Sequence, residues 1–395
     1  MIATLVALIA TAAAPQFEVR SLGGQTVVGT VERFDADQIT IRTAEGPVSL
    51  KTDDLLGIAS KPKPTPPAEE PAAWIDLIDG SSLVARQYSV INGRTQATLL
   101  GGQTVGLPAG SVSSVRLTPQ TDTLAAEWSR LSRLKIDTDL LVIRKGESID
   151  YHKGILRDVT DTLVHFDLGG DAVPVNRSKV DGLLYYRVLA DPLPETVCRL
   201  TDADGSQWSA ASLALTSDLQ WTTPTGLSIT RSLAAVAEID FSRGKVLFLG
   251  DLRPESVEFT PYFGGRDDVP VLAEFYTPRP ERSLESGRLR LDGTTYDRGL
   301  ALHSRTKVVY RLPGRFRRFK ATIGIDDAVR PHGHVRLVIL GDENVLLEAT
   351  VTGTDPPMPV DLDLAGIRRL AVLADFGDQL DTADHLDLCE ARILK

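Results

Sequence analysis

The chain has 395 residues, of which 42% are hydrophobic and 24% charged, and its formal net charge is −10. This composition is typical of a soluble globular protein, and the length predicts roughly two to four domains. The negative charge and the lack of a long Lys/Arg tract argue against binding to nucleic acid or to anionic lipid surfaces. The sequence therefore predicts no nucleic-acid partner.

The first 14 residues, MIATLVALIATAAA, are predicted to be a signal peptide. Their apolar run ends in small residues, which is typical of a cleavage zone. The run is shorter than the stretch of about 20 apolar residues that spans a bilayer. The alternatives are a membrane anchor and a chain start that packs into the first domain. We expect a secreted protein, or one of the periplasm or cell envelope, with no transmembrane segment.

Cysteine is rare in this sequence. Only Cys198 and Cys389 occur, so neither a disulfide framework nor a CxxC metal site can be built. We expect both residues to be free, buried thiols.

A repeat runs through the first part of the chain, where strand-length runs alternate with Gly, Asp and Asn turns. The segment GTVERFDADQITI, which begins at Gly29, aligns without a gap with GILRDVTDTLVHF, which begins at Gly154. Ile39 aligns with Val164, and each is followed two residues later by a second apolar residue. Residues two apart share a strand face, so both copies are predicted to bury the same face.

Two looser copies complete a set of four, each with about five short strands, a layout that resembles small SH3-like or Sm-like barrels. The predicted segments are a β-barrel repeat 1 at 15–60, a Pro-rich linker at 61–73, a β repeat 2 at 74–118, a linker helix at 119–138, a β repeat 3 at 139–190 and a β repeat 4 at 191–242. Five prolines in SKPKPTPPAEEPA define the first linker. In the second, Leu124, Trp128, Leu131 and Leu134 share one face of a helix predicted over residues 121–134.

Motifs of common enzyme classes are missing from these repeats. GxSxG, HExxH, a P-loop and a GxGxxG between strand and helix do not occur in them. We therefore predict that the protein is not an enzyme.

Residues 243–395 are predicted to form a different domain. Alternating apolar residues in RFKATIGI and VRLVIL predict strands, and two packed antiparallel sheets would bury their apolar faces.

This region resembles the NPCBM family of carbohydrate-binding modules. The matching stretches are YDRGLALHS, VVYRLPGRFRRFKATIGIDD, GHVRLVILGDENVLL, PVDLDLAGIRRLAVLADFGD and DTADHLDLCEARIL. The resemblance implies a galactose-binding-domain-like β-sandwich (a jelly roll) that binds a glycan or polysaccharide, of a kind often attached to glycoside hydrolases.

The last of these stretches departs from the family pattern. It keeps Asp384, His385 and Asp387, but Leu386 replaces an Ala and Leu388 stands where the family usually has Trp. If that position lies in the core, nothing functional follows. If it lines the site, the loss of a large ring removes a surface on which a sugar could stack.

Six polar residues of these stretches are candidates for sugar contacts. They are Tyr296, His303, Asp326, Asp327, Asp384 and His385. His303 could instead hold its turn by bonding backbone, since a single imidazole is seldom diagnostic. Asp326 and Asp327 could bind Ca²⁺ or sugar hydroxyls, or could end a strand in an Asx-type turn. Calcium is the one cofactor considered, and no metal ligand is assigned.

Two further patterns have plain structural explanations. Asp384 and Asp387 resemble a catalytic carboxylate pair, but a loop of a small sandwich rarely supplies the pocket that such a pair needs. His332 and His334 could chelate a metal from a strand, but no third ligand is in view.

The sequence thus predicts an exported, non-catalytic, all-β protein, with tandem small SH3-like barrels followed by a galactose-binding-domain-like β-sandwich. Loops at one end of the sandwich would recognise a glycan. The alternative is an envelope scaffold whose sandwich no longer binds sugar and contacts envelope proteins, which Leu388 favours.

Overall fold

The computed structural model describes residues 15–108, 110–146, 148–188, 191–262, 276–378 and 380–395. The predicted signal peptide at residues 1–14 lies outside this part of the chain. The protein divides into two compact units, Met1–Arg243 and Gly244–Lys395. No helix in the described ranges combines the length and the apolar character needed to cross a bilayer.

Unit 1 contains four consecutive sets of strands and a helix. They are β1 (Gln16–Ser21), β2 (Thr26–Phe34), β3 (Gln38–Thr43), β4 (Gly46–Lys51) and β5 (Leu55–Lys61); β6 (Ala73–Leu77), β7 (Ser82–Ile91), β8 (Arg94–Leu99), β9 (Thr104–Leu107) and β10 (Val112–Arg116); α1 (Asp122–Ser132); β11 (Asp139–Lys145), β12 (Ser148–Val159), β13 (Leu163–Leu168), β14 (Asp171–Asn176) and β15 (Val180–Leu184); and β16 (Cys198–Asp202), β17 (Gln207–Ala210), β18 (Ser212–Leu215), β19 (Leu219–Thr222), β20 (Ser228–Arg231) and β21 (Val236–Asp240).

All four sets share one antiparallel pairing order. In the first set, β1 pairs with β2 and β5, β2 with β3, and β3 with β4. The second and third sets repeat this order strand for strand. In the fourth set, the second strand is divided into β17 and β18. We call these sets repeats 1 to 4; that each is an SH3-like barrel stays a prediction.

The aligned glycines mark a close approach of two strands. A Cβ on Gly29 would lie 2.2 Å from the carbonyl oxygen of Arg42, and one on Gly154 would lie 2.3 Å from that of Asp167. Only glycine fits such a gap without a shift of the backbone. The two residues align because the same crossing recurs in both repeats.

The core of unit 1 follows the alternation predicted from the sequence. Ile39 and Val164 are buried, as are Trp208 and Trp221, whose rings meet edge to face at 5.8 Å. Trp74 is partly exposed and lies beneath the guanidinium of Arg116 at 5.4 Å. Two of these three tryptophans therefore serve packing.

The predicted helix is present as α1, and the Thr121 side chain caps it by accepting from the Leu124 amide. Leu124, Trp128 and Leu131 are buried as expected. The predicted burial of Leu134 is wrong, since its side chain is 46% exposed. The helix ends two residues before it, so Leu134 leaves the apolar face.

The repeats pair with one another out of chain order. β5 of repeat 1 pairs with β21 of repeat 4, and β10 of repeat 2 pairs with β15 of repeat 3. β7 of repeat 2 joins β17 of repeat 4 and β12 of repeat 3 through single residue pairs. Hydrogen bonding therefore connects the repeats in the order 1, 4, 2, 3.

Unit 2 consists of strands and their connections in the residues described. The strands are β22 (Val246–Phe248), β23 (Ser256–Phe259), β24 (Arg279–Pro280), β25 (Leu289–Leu291), β26 (Thr294–Tyr296), β27 (Gly299–His303), β28 (Thr306–Arg311), β29 (Arg318–Ile325), β30 (His334–Gly341), β31 (Asn344–Thr352), β32 (Met358–Asp363), β33 (Arg369–Phe376) and β34 (His385–Leu394).

Two antiparallel sheets of unit 2 pack face to face. One has the order β24-β27-β34-β29-β32, with β22 also paired to β34, and the other has the order β23-β28-β33-β30-β31. A single apolar cluster lies between them and takes Leu302 and Leu388 from the first sheet and Tyr310 and Val372 from the second. The predicted all-β class with a C-terminal β-sandwich is confirmed.

The outer face of the first sheet is covered as well. The β25–β26 hairpin places Leu289 and Leu291 against Ala301 and Cys389 in a separate apolar cluster. Gly324 makes room for this hairpin, since a Cβ there would lie 3.0 Å from a methyl group of Leu291. Strand β34 is therefore buried on both faces over residues 385–389.

Gly154→Ala is expected to destabilise unit 1 by about 1–3 kcal/mol, because the added methyl group would overlap a backbone oxygen that cannot rotate away. Urea unfolding followed by tryptophan fluorescence would measure this, since the chain's four tryptophans all lie in unit 1. The control is Gly106→Ala in β9, where a Cβ meets nothing within 4 Å. Equal midpoints for the two variants would refute the close approach.

Candidate functional site

One end of the sandwich gathers polar side chains from several connections. Strands β27 and β29 end there, and β34 begins there. His303 and His385 face each other in the β27–β34 register, and the amide of Asp326 donates to the carbonyl of His385 at 3.0 Å. We call this region the polar end.

The two histidines form part of a ring cluster. Their ring centroids lie 5.7 Å apart, and the Tyr276 ring lies 5.2 Å from that of His303 at nearly a right angle. Nδ1 of His303 lies 2.6 Å from the carbonyl oxygen of Ser304. Burial lowers the pKa of both histidines, which favours neutral imidazoles at pH 7.

The carboxylate of Asp384 joins two loops. Its Oδ2 accepts from the hydroxyl of Ser304 at 2.5 Å, and its Oδ1 accepts from the amide of His334 at 2.9 Å. The side chain is fully buried, and this burial raises its pKa while both hydrogen bonds oppose the rise. Asp384 therefore fixes the start of β34 to the end of β27 and the start of β30.

Asp326 and Asp387 form a buried pair of carboxyl groups. Oδ1 of Asp326 accepts from the amide of Ala328 at 2.8 Å. Its Oδ2 is buried, and so are both carboxyl oxygens of Asp387. Burial and the adjacent Asp326 carboxyl hold the pKa of Asp387 well above its usual range. Burial and the neighbouring carboxyl therefore favour the protonated form of Asp387.

Asp327 points elsewhere and holds the covering hairpin. Its two carboxylate oxygens accept from the amides of Asp292 and Gly293, each at 2.8 Å, in the turn between β25 and β26. Arg330 lies 3.9 Å from the same carboxylate. In the sequence GIDD, the carboxyl group of Asp326 is therefore buried and that of Asp327 binds a turn.

The six candidate residues thus differ in position and exposure. His303, Asp326, Asp384 and His385 meet at the polar end but are buried, contrary to the expectation of open loops. Asp327 is partly exposed there. Tyr296 packs beside Cys389, which lies four residues after His385 in β34. Direct sugar contact by these residues stays a prediction.

The other expected patterns also have structural partners. Nδ1 of His334 accepts from the amide of Asp378 at 2.9 Å, which occupies one of the nitrogens that a chelating pair would use. Within the described ranges, no three His, Cys, Asp or Glu side chains converge as a ligand set. Asp384 and Asp387 are both fully buried, so neither carboxyl is open to a polymeric substrate.

Leu388 is buried in the core between the sheets. The exchange of Trp for Leu at this position therefore alters packing and not a surface. The support that it gave to the scaffold alternative is removed.

Sequence reasoning missed three residues of the polar end. Ser304 follows His303 directly, and its hydroxyl donates to Asp384, which is 80 positions away in the chain. Tyr276 donates its hydroxyl to Asp381 at 3.1 Å, and burial raises its pKa to about 12. Tyr262 is exposed and meets Phe376 edge to face at 5.0 Å. Exposed tyrosines have no local pattern, so only aromatic composition could have drawn attention to them.

Asp387→Asn is expected to change how stability depends on pH. Because the folded pKa of Asp387 is raised, the stability linked to its proton is complete below the unfolded value of about 3.9 and is lost as pH rises through the folded value. The neutral variant lacks this loss. The melting temperature of the variant minus that of wild type should therefore increase from pH 4 to pH 8, as measured by scanning calorimetry. Asp378→Asn, at a side chain that is 93% exposed, is the control. Parallel profiles for wild type and Asp387→Asn would contradict the buried pair.

Comparison with curated proteins gives no match. Among solved structures, the chain is similar to a CBM51 module from Clostridium perfringens GH95 in complex with methyl-galactose, at 18% identity over 38% of this chain and 99% of that one, with a TM-score of 0.32. It is similar to the CBM51-2 and INT domains of Clostridium perfringens ZmpB in complex with GlcNAc, at 19% identity over 46% and 37%, with a TM-score of 0.33. Tandem CBM51 modules of a family 98 glycoside hydrolase from Streptococcus pneumoniae match at 12% identity over 92% and 93%, with a TM-score of 0.32.

A family model assigns the C-terminal unit. The model described as NPCBM/NEW2 domain matches residues 271–394, which confirms the resemblance predicted from the motifs of this region. This stretch contains the strands of both sheets except β22 and β23. Residues 271–394 of this chain are therefore similar to the NPCBM/NEW2 family.

Proposed function

We propose that this chain is an exported, non-catalytic carbohydrate-binding protein that recognises a glycan at the polar end of its C-terminal sandwich. The observation that carries the proposal is the NPCBM/NEW2 match over residues 271–394. His303, Asp326 and Asp384 lie within the matched residues and belong to the polar end. Export rests on the apolar sequence of residues 1–14.

The buried polar side chains hold the connections of the polar end in fixed positions. Asp384 holds two connections through hydrogen bonds, and Asp327 holds the hairpin turn through two more. A binding surface that is rigid before the ligand arrives loses less conformational entropy on binding. Sugars offer many hydroxyl groups at fixed angles, so fixed donors and acceptors suit them.

Tyr262 supplies the aromatic face that sugar recognition commonly uses. It is 43% exposed, and its edge-to-face contact with Phe376, the last residue of β33, places it at the polar end. A tyrosine ring combines an apolar face with a polar hydroxyl, which suits contact with a pyranose. Asp327 and Arg330 follow β29 at the polar end, are partly exposed, and can bond hydroxyls.

The non-catalytic part of the proposal follows from burial. Glycoside hydrolysis generally needs two carboxyl groups on either side of the scissile bond, about 5–10 Å apart. Asp384, Asp387 and Asp326 are the carboxyls of the polar end with least exposure, and each already has an internal partner. Of the other carboxylates there, Asp327 holds a turn and Asp381 accepts from the Tyr276 hydroxyl.

Tyr262→Ala is expected to weaken glycan binding at least about tenfold, because stacking of a sugar face on the ring is lost. Binding of the full chain to a glycan array, followed by calorimetric titration with the best sugar, would measure it. Tyr186→Ala is the matched control, since Tyr186 lies in unit 1 and is 42% exposed. Equal loss in both variants, or a flat array for wild type, would reject sugar binding at this end. Release of reducing sugar from the bound glycan would reject the non-catalytic part.

Asp327→Asn is expected to weaken the same binding by several-fold, because one of the two amides it holds loses its acceptor and the hairpin turn loosens. Asp342→Asn is its control. Asp342 accepts from the amides of Arg368 and Arg369 and follows β30, at the end of the sandwich opposite His334. The two substitutions remove the same kind of interaction, so a selective effect of Asp327 assigns the binding end. An equal effect would instead indicate a general loss of stability.

A further inference from the structure

Repeat 3 of unit 1 has a cavity that no part of the proposed function uses. Its volume is about 610 Å³, within the range of small-molecule sites. The apolar lining comes from three strands and consists of Leu141, Ile143, Phe166, Leu168, Val173 and Val175. The cavity is therefore the inner face of the repeat, open at one end.

Repeat 1 packs apolar side chains at two positions that are exposed in repeat 3. The gap-free alignment that equates Gly29 with Gly154 equates Val27 with His152. Val27 is buried in repeat 1, whereas His152 is exposed and lines the cavity of repeat 3. The same alignment equates Val48, which packs against the core, with the exposed Val173. These two positions are therefore packed in repeat 1 and exposed in repeat 3.

The open end leaves apolar side chains in contact with solvent. Leu168 is 46% exposed and Val173 is exposed beside it on the paired strands β13 and β14. Each exposed apolar square ångström costs roughly 25 cal/mol. A ligand with an apolar body would remove this cost.

The charge around the cavity favours an anion. None of the described residues that line it is acidic, although the chain has 53 Asp and Glu against 43 Lys and Arg. Arg144 is already bound to Asp181 at 2.9 Å and to the carbonyl of Pro119. Lys179 is exposed at the cavity, and the ion pairs of the described part of repeat 3 do not include it.

The adjacent sheet edge argues against a peptide as the occupant. In the described residues, β14 pairs with β13 alone, which leaves its other edge open. Pro174 lies in the middle of β14 and has no amide hydrogen to offer an added strand. A proline on an edge strand is a common protection against strand addition. The site therefore suits a compact ligand rather than an extended chain.

We propose that the open end of repeat 3 binds a small anionic amphiphile, with its apolar body in the cavity and its anionic group beside Lys179. Carboxylates and sulfonates with a hydrocarbon body are the class that fits. This site is independent of glycan binding, since it lies in the other unit.

The test is a fluorescence titration of the full chain with 8-anilinonaphthalene-1-sulfonate, displaced by dodecanoate. We expect saturable binding that dodecanoate displaces and dodecyltrimethylammonium does not. Lys179→Glu and Leu168→Glu should each weaken the binding at least about tenfold. Ile155→Glu is the control, because Ile155 is 47% exposed in the same repeat but does not line the cavity.

Circular dichroism separates loss of the site from loss of the fold, and Lys179→Gln provides a milder second variant. Equal affinity for wild type and Leu168→Glu, or equal displacement by the cationic amphiphile, would overturn the proposal. Sedimentation with phosphatidylglycerol vesicles that is lost in Lys179→Glu would support the same chemistry with a membrane lipid as its source. Tighter binding of an acidic peptide than of dodecanoate would overturn it.

Discussion

The hydrogen bonds of the Asp384 carboxylate are the interaction on which the polar end depends. A carboxylate without water is unfavourable by several kcal/mol unless donors replace the lost hydration. Ser304 and the amide of His334 are those donors, and they belong to the ends of two other strands. The positions of three connections are therefore coupled to one buried carboxyl group.

Burial on both faces explains why sequence reasoning placed these residues at the surface. In β34, Leu386 and Leu388 face the core between the sheets, and Asp387 and Cys389 face away from it. In an ordinary sandwich the second face meets water. Here the β25–β26 hairpin covers it, and this packing depends on a close approach at Gly324 that no local pattern reveals.

The sequence was most informative where a constraint is local. The alignment of Gly29 with Gly154 and the alternation beyond them predicted matching strands, because a backbone crossing and a strand face depend on near neighbours. The family motifs predicted the sandwich and the set of polar residues, but not that most of that set would lie inside. Tyr262 and the pairing of β5 with β21 could not be foreseen, because each depends on contacts between residues far apart in the chain.

The out-of-order pairing of the repeats has a consequence for biosynthesis. The free edge of β5 acquires its partner only when residues 236–240 exist, after every other repeat has been made. Until then the nascent chain has an unpaired strand edge, and a strand of another chain can pair with such an edge. The hydrogen bonding of unit 1 is therefore complete only after its last strand has been made.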